Sequence, residues 1–138
     1  MERRIFVDPW PESAFRNELA DPLLSWVRVA RRDGLLAGYL VAWRVSVEVH
    51  LTNVGVVPEF RRQGVAQALL DDLLAEADRM RAEMITLEVR ASNLAAIALY
   101  ERNGFRRMGV RRRYYTVGRE DALVMTLDLA ARHTEGDA

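Results

Sequence analysis

The chain has 138 residues, half of them apolar, and its 20 basic and 20 acidic residues give a formal net charge of zero. This length suits one globular domain with a sizeable core. We expect that domain to span residues 1–129, followed by a polar tail at 130–138. The neutral balance creates no global field toward nucleic acid or an anionic membrane, so neither is expected as a direct partner.

Two residue types are missing, and their absence excludes several chemistries. All 20 basic residues are arginine, and there is no cysteine. A Schiff-base lysine, a lysine phosphate clamp, a thiolate zinc site and a cysteine nucleophile are therefore excluded within the chain, and we expect no metal. The N-terminus lacks the apolar region of a signal peptide, and the longest apolar run is about half a membrane span. These features predict a cytoplasmic location.

The N-terminal third predicts a turn, a short helix and three strands. The Pro-Trp-Pro-Glu sequence at 9–12 is typical of a turn, and a helix is predicted from there to just before Asp21-Pro22. Strands are predicted at 26–29 and 35–45, joined by a hairpin at Asp33-Gly34, and a third at 47–57 ends at proline.

The middle of the chain carries the clearest periodicity. Residues 63–80 predict an amphipathic helix, because apolar residues recur there at three- and four-residue spacing. Residues 84–90 alternate between apolar and polar, which places Glu88 on the polar face of a strand. Ser92 is the predicted N-cap of a second helix that ends at Asn103-Gly104.

Two closing strands, at 105–115 and 122–129, complete the predicted elements. The order of elements predicts an α+β fold with a mixed, mostly antiparallel sheet. Within it, the strand at 47–57, the following helix and the strand at 84–90 would form a parallel βαβ unit.

The segment 54–66 predicts an anion-binding loop. It leads from an apolar strand into a helix with Gly64 in its first turn, where unpaired backbone N–H groups and the positive end of the helix dipole converge. The pattern Arg61-x-x-Gly64-x-Ala66 is neither a Walker loop nor a dinucleotide-binding G-x-G-x-x-G sequence. Gly64 lacks the side chain that would block a bound phosphate.

Three further motifs follow the loop, and together they carry a family resemblance. Residues 87–93 read Leu-Glu-Val-Arg-Ala-Ser-Asn, residues 98–105 read Ala-Leu-Tyr-Glu-Arg-Asn-Gly-Phe, and Arg113-Tyr114-Tyr115 precedes Gly-Arg-Glu-Asp-Ala at 118–122. In this order and at this spacing the chain resembles the GNAT superfamily of N-acetyltransferases, in its RimI-like branch. The resemblance covers roughly residues 9 to 129.

The resemblance implies a GNAT fold in which the two parallel strands splay apart to admit acetyl-CoA as co-substrate. It implies that the backbone of Val54, Gly55 and Val56 pairs with the pantetheine arm and that Asn93 contacts the cofactor. The implied pyrophosphate-binding residues are Arg62, Gln63, Gly64, Val65, Ala66 and Gln67. The family normally has one more strand and most of another helix before the turn at 9–12, and we expect this chain to lack them.

For catalysis, the resemblance implies Glu88 as general base and Tyr100 as general acid. From pattern alone, the alternative for Glu88 is a solvated glutamate paired with Arg90, and the alternative for Tyr100 is a tyrosine packed in the core. Tyr114 and Tyr115 match the pair that grips the peptide backbone in protein N-terminal acetyltransferases. The loop after them is about two residues shorter than usual, and the alternative is two aromatics that cover the sheet edge.

The function implied is transfer of an acetyl group from acetyl-CoA to the N-terminal α-amine of a protein, such as a ribosomal protein beginning with alanine, by direct transfer in a ternary complex. A second interpretation keeps the cofactor and makes the acceptor a free small amine. A third is a non-catalytic acyl-CoA-binding module. Cofactor binding without turnover would distinguish the third from the other two.

Overall fold

The sheet of this protein places its single parallel strand pair near the centre. A computed structural model describes residues 5–9, 25–115 and 120–130. Within these residues a seven-stranded sheet has the order β1-β2-β3-β4-β5-β7-β6. The elements, in chain order, are β1 Ile5–Pro9, β2 Ser25–Arg32, β3 Leu35–Val45, β4 Glu48–Val56, α1 Val65–Arg79, β5 Met84–Arg90, α2 Leu94–Arg102, β6 Arg106–Tyr115 and β7 Glu120–Asp128.

The predicted mixed sheet with its parallel βαβ unit is confirmed. Strands β4 and β5 pair in parallel, and the other neighbouring pairs are antiparallel. Asp33 and Gly34 have positive φ angles of 55° and 78°, which is the backbone of the tight hairpin that Asp-Gly predicts. The predicted helix before residue 21, the segment 116–119 and the tail beyond residue 130 lie outside the described residues.

The expectation that the chain lacks a strand before the turn at 9–12 is wrong. Residues Ile5–Pro9 form β1, which pairs antiparallel with β2 at one edge of the sheet. Five residues are too few for alternation to stand out in a sequence. The strand is defined by hydrogen bonds to the backbone of β2, which the local sequence of β1 does not reveal.

Both helices contribute to one core cluster on the same face of the sheet. Buried residues of α1 (Val65, Leu69, Leu70, Leu73 and Ala77) and of α2 (Ile97 and Tyr100) belong to the same cluster as the inward-facing strand residues. The amides of Gln67 and Asn103 exchange two hydrogen bonds of 2.9 and 3.0 Å and thereby join the start of α1 to the end of α2. Neither helix is long and apolar enough to cross a membrane.

Candidate active site

The parallel strands β4 and β5 separate halfway along their length. Their pairing runs from Glu48 opposite Met84 to Leu51 opposite Leu87, and it stops there. Both strands nevertheless continue, β4 to Val56 and β5 to Arg90. The result is a wedge-shaped gap between two neighbouring strands, as the family resemblance implies.

A β-bulge in β4 marks the point of separation. Val41 of β3 pairs with Asn53, whereas the next residue, Ala42, pairs with Leu51, so Thr52 is an extra residue on β4. The Thr52 hydroxyl donates a hydrogen bond of 3.0 Å to the carbonyl oxygen of Val41. Because a bulge bends its own strand and increases the local twist, it accounts for the turn of β4 away from β5.

Beyond the bulge, β4 is paired on one edge. Val54, Gly55 and Val56 pair with β3, and the described part of β5 offers them no partner. A Cβ atom at Gly55 would lie 2.3 Å from a ring carbon of Tyr39 on β3, so a larger residue here would displace that exposed ring. The other backbone edge of these three residues is available for an extended ligand in the gap.

The loop that follows β4 has the backbone geometry predicted for an anion-binding loop, and it is called the cradle below. After a 3₁₀ turn at Pro58–Phe60, Arg62 and Gly64 adopt left-handed backbones with φ of 62° and 81°, and Gly64 is the N-cap of α1. The N–H groups of the first turn of α1 have no partner within the helix. A Cβ atom added to Gly64 would have no protein atom within 4 Å, so the space beside the start of α1 at this residue is open.

Two glutamines of the cradle direct their side chains to the protein. Gln63 accepts a hydrogen bond from Nη1 of Arg32 and donates one of 3.1 Å to the carbonyl oxygen of Glu59. Gln67 bonds to Asn103 and also to Asp71 at 2.8 Å. These contacts hold the loop in shape and involve the glutamine side chains rather than the backbone N–H groups at the start of α1.

Glu88 lies on the sheet face opposite the helices, next to the gap. Its strand neighbours Leu87 and Val89 are buried in the core, so the alternation of β5 turns Glu88 to the other face, where its side chain is 28% exposed. Nη1 of Arg111 donates a hydrogen bond of 2.5 Å to Oε1 of Glu88. The alternative partner named from the sequence, Arg90, is therefore the wrong arginine.

The sequence did not indicate Arg111 as the partner of Glu88, because the two residues are far apart in the chain. It belongs to β6, which is separated from β5 by β7, and the pair spans 23 residues. Only the register of three strands reveals the contact. The alternation of β5 and β6 predicts the face on which each side chain lies. The sequence does not reveal that β7 lies between these two strands.

Tyr100 lies on the helix face of the sheet, where it is 7% exposed. Its ring packs against Phe105 with centroids 5.6 Å apart. Tyr100 is thus packed in the core, which was the alternative interpretation from pattern alone. Glu88 and Tyr100 therefore lie on opposite faces of the sheet.

Asn93, rather than Ser92, is the N-cap of α2. Its Oδ1 accepts a hydrogen bond of 3.2 Å from the backbone N–H of Ala96. Asparagine and serine are comparable N-caps, so propensity could not choose between adjacent candidates. The side-chain oxygen of Asn93 is thus engaged at the helix start.

The remaining candidates from the sequence are the two tyrosines at the end of β6. Tyr114 and Tyr115 end β6, where Tyr115 pairs with Glu120 of β7, and their side chains lie outside the described part of the structure. His50 precedes the bulge on β4, with its Nε2 3.1 Å from Oε2 of Glu48. Across the described residues, no three His, Asp or Glu side chains are grouped so as to hold a metal ion.

Comparison with known proteins identifies relatives along almost the whole chain. The model of the Acetyltransferase (GNAT) family matches residues 1–105. The chain is 39% identical over 132 residues to the [Ribosomal protein bS18]-alanine N-acetyltransferase of Escherichia coli (strain K12), covering 94% of this chain and 88% of that protein. It is 42% identical over 134 residues to the N-alpha-acetyltransferase RimI of Mycobacterium tuberculosis, covering 93% and 82%.

The fold gives the same result. The crystal structure of the ribosomal-protein-S18-alanine N-acetyltransferase from Escherichia coli superimposes with a TM-score of 0.79 at 32% identity, covering 92% of this chain and 95% of that one. The gap between β4 and β5 and the cradle at the start of α1 are features that the family resemblance implies. The family model and these relatives show that the chain belongs to the acetyltransferase (GNAT) family.

Proposed function

We propose that this protein transfers an acetyl group from acetyl-CoA to the N-terminal α-amine of a protein, with a ribosomal protein that begins with alanine as the candidate substrate. The observation that carries the proposal is a carboxylate, Glu88, beside a gap that leads to an anion cradle. The names of relatives that are 39% and 42% identical support the choice of acceptor. A ribosomal substrate also favours the cytoplasm as the site of the reaction.

The described residues fit acetyl-CoA. The cradle at the start of α1 suits a pyrophosphate, because it offers backbone N–H groups, a helix dipole and open space above Gly64. The unpaired edge of Val54–Val56 suits an amide-containing arm that binds like an additional strand. When bound, acetyl-CoA supplies an activated acetyl thioester.

The residues of the chain then have to handle protons. The acceptor arrives largely as an ammonium ion and must lose a proton before its nitrogen can form the new amide bond. We assign that proton to Glu88, directly or through water. The carbon–sulfur bond breaks as the carbon–nitrogen bond forms, and we assign protonation of the departing thiolate to the phenol of Tyr100. The nitrogen loses a second proton when it becomes the amide, and that proton restores the Tyr100 phenolate to a phenol. With no cysteine in the chain, direct transfer is favoured over an acyl-enzyme.

The chemistry favours an α-amine over a lysine side chain. An α-amine has a pKa near 8 and a lysine amine near 10.4, so neutralising the α-amine costs about 3 kcal/mol less. We propose that a single carboxylate, Glu88, suffices for the easier of these two deprotonations. The proposed roles of Tyr114 and Tyr115, which are to hold the peptide backbone, would direct the first residue toward the gap.

Replacing Tyr100 by phenylalanine should lower kcat by on the order of a hundredfold and leave the affinity for CoA nearly unchanged. The ring packing against Phe105 is preserved, so only the hydroxyl is lost. Stopped assays of acetyl transfer and calorimetry with CoA provide the two measurements. A Tyr100→Phe variant with normal kcat would remove Tyr100 as the general acid and leave it a core residue.

A matched peptide panel tests the acceptor. Peptides that begin with Ala, Ser, Met or acetyl-blocked Ala, each with one internal lysine, would be incubated with protein and acetyl-CoA and analysed by mass spectrometry. We expect acetylation at the free N-terminal amine of the Ala peptide and none at lysine. Labelling of the blocked peptide at lysine at a comparable rate would contradict the proposal.

Two alternatives give distinct results in the same panel. Inactivity with every peptide, together with turnover of a free polyamine, would identify a small-amine acetyltransferase. Binding of CoA by calorimetry with no turnover of any acceptor would identify a non-catalytic acyl-CoA-binding module.

A further inference from the structure

An arginine occupies one oxygen of the proposed general base. Nη1 of Arg111 donates a charge-assisted hydrogen bond to Oε1 of Glu88, at a distance of 2.5 Å. We propose that Arg111 is a positioning residue that fixes the Glu88 carboxylate by Oε1 and leaves Oε2 to receive the proton of the acceptor amine. This inference rests on the proposed function, because it assigns Arg111 a task only if Glu88 acts as the base.

The contact between Arg111 and Glu88 involves one carboxylate oxygen, and the positioning role depends on this geometry. A guanidinium and a carboxylate commonly pair through two parallel hydrogen bonds, which would occupy both carboxylate oxygens. Here the ion pair joins one nitrogen of Arg111 to one oxygen of Glu88. Among the described residues, Oε2 of Glu88 has no hydrogen-bond partner. One oxygen is thus held while the other is available to the ligand in the gap.

The sheet sets this geometry from three strands. Glu88 of β5 is opposite Val124 of β7, and Arg111 of β6 is opposite Ala122 of β7. Residues that pair in this way project to the same face, so the guanidinium reaches Glu88 across a valine and an alanine. The small apolar residues of β7 offer no competing hydrogen-bond acceptor in their side chains.

The charge of arginine also suits the task. A guanidinium keeps its charge at every pH at which an enzyme works, so it cannot take the proton that Glu88 is meant to receive. A lysine at the same place would bring a proton donor with an ordinary amine pKa. The side chain of Arg111 is 56% exposed and that of Glu88 is 28% exposed, so the base lies deeper than the group that holds it.

The first test removes the guanidinium. Arg111→Ala should lower kcat roughly ten- to hundredfold, the range that a displaced catalytic group costs, while the KM for acetyl-CoA and the melting temperature change little. Millimolar guanidinium chloride should restore part of the lost kcat by occupying the vacated place, and Arg111→Lys should retain more activity than Arg111→Ala. A structural role alone would not produce rescue by a free guanidinium ion.

The chain provides a matched control on the same strand. Arg107 is 58% exposed and forms a 3.1 Å ion pair with Glu101, which lies outside the proposed site. Arg107→Ala should leave kcat unchanged and should not respond to guanidinium. Equal losses in the Arg107→Ala and Arg111→Ala variants would mean that any arginine of β6 matters, and that result would overturn the proposal.

The second test separates this inference from the proposed function. In a Glu88→Gln background, removal of Arg111 should cause no further loss, because two residues that act through one group are not additive. Full additivity, or a rise in kcat in Arg111→Ala alone, would refute the positioning role while leaving the acetyltransferase assignment intact. Failure of the unaltered protein to acetylate any peptide would instead refute the proposed function.

Discussion

Replacing Glu88 by glutamine should lower kcat for acetylation of a peptide amine by on the order of a hundredfold, the usual scale for a lost general base. Glutamine keeps the length and shape of the side chain and can still accept a hydrogen bond from Arg111, but it cannot take a proton at neutral pH. The affinity for CoA should hardly change, because the cradle lies at the start of α1. Steady-state kinetics and calorimetry give the two quantities.

The control for Glu88 is another glutamate that pairs with an arginine of β6. Glu101 of α2 contacts Arg107 at 3.1 Å and is 45% exposed. Glu101→Gln breaks an equivalent charge pair outside the proposed site. An exposed ion pair contributes little to stability, so we expect kcat to stay within about twofold of the unaltered protein. Near-normal turnover of Glu88→Gln across the pH range would show that Glu88 is a surface partner of Arg111 and not the base.

Replacing Gly64 by valine should abolish CoA binding in a calorimetric titration. Two effects act together. The left-handed backbone of Gly64, with φ of 81°, is unfavourable for a β-branched residue, and the new side chain would fill the space in which the cradle receives a pyrophosphate. Because a Cβ atom at Gly64 meets no protein atom within 4 Å, we expect the loss of CoA binding without a steric clash inside the protein.

Gly34 separates the two effects. It has a φ of 78° in the hairpin between β2 and β3, and an added Cβ atom there also meets no atom within 4 Å. Gly34→Val therefore imposes similar backbone strain away from the cradle and should lower the melting temperature without loss of CoA binding. Unchanged CoA affinity in Gly64→Val would refute the pyrophosphate site, whereas loss of binding in both variants would attribute the effect to strain.

The helix α1 and the strand β5 were predictable because their patterns are local. An apolar residue every three or four positions leaves α1 one way to bury its side chains, and its observed range of Val65–Arg79 falls inside the predicted 63–80. The strict alternation of Met84–Arg90 likewise assigned Glu88 to the polar face. Both features depend on backbone geometry within a few residues.

Recognition of the family by motif also came from the sequence. The glycine loop before α1 and the motifs around Glu88 and Tyr100 sufficed to predict the mixed sheet, the parallel pair and the cofactor class. Local propensity was less decisive at the termini of elements. It chose Ser92 where Asn93 caps α2, because both residue types satisfy the same backbone N–H groups.

Only the tertiary structure determined how the strands meet. The extra residue Thr52, which opens the gap, is visible only in the register between β3 and β4. The edge strand β1 depends on its partner β2, and the contact of Arg111 with Glu88 depends on the insertion of β7 between β5 and β6. The sequence by itself determined which residues lie on each element and which face they occupy, since those follow from local periodicity. Which distant residues become neighbours was decided by strand order and register, which are properties of the assembled sheet.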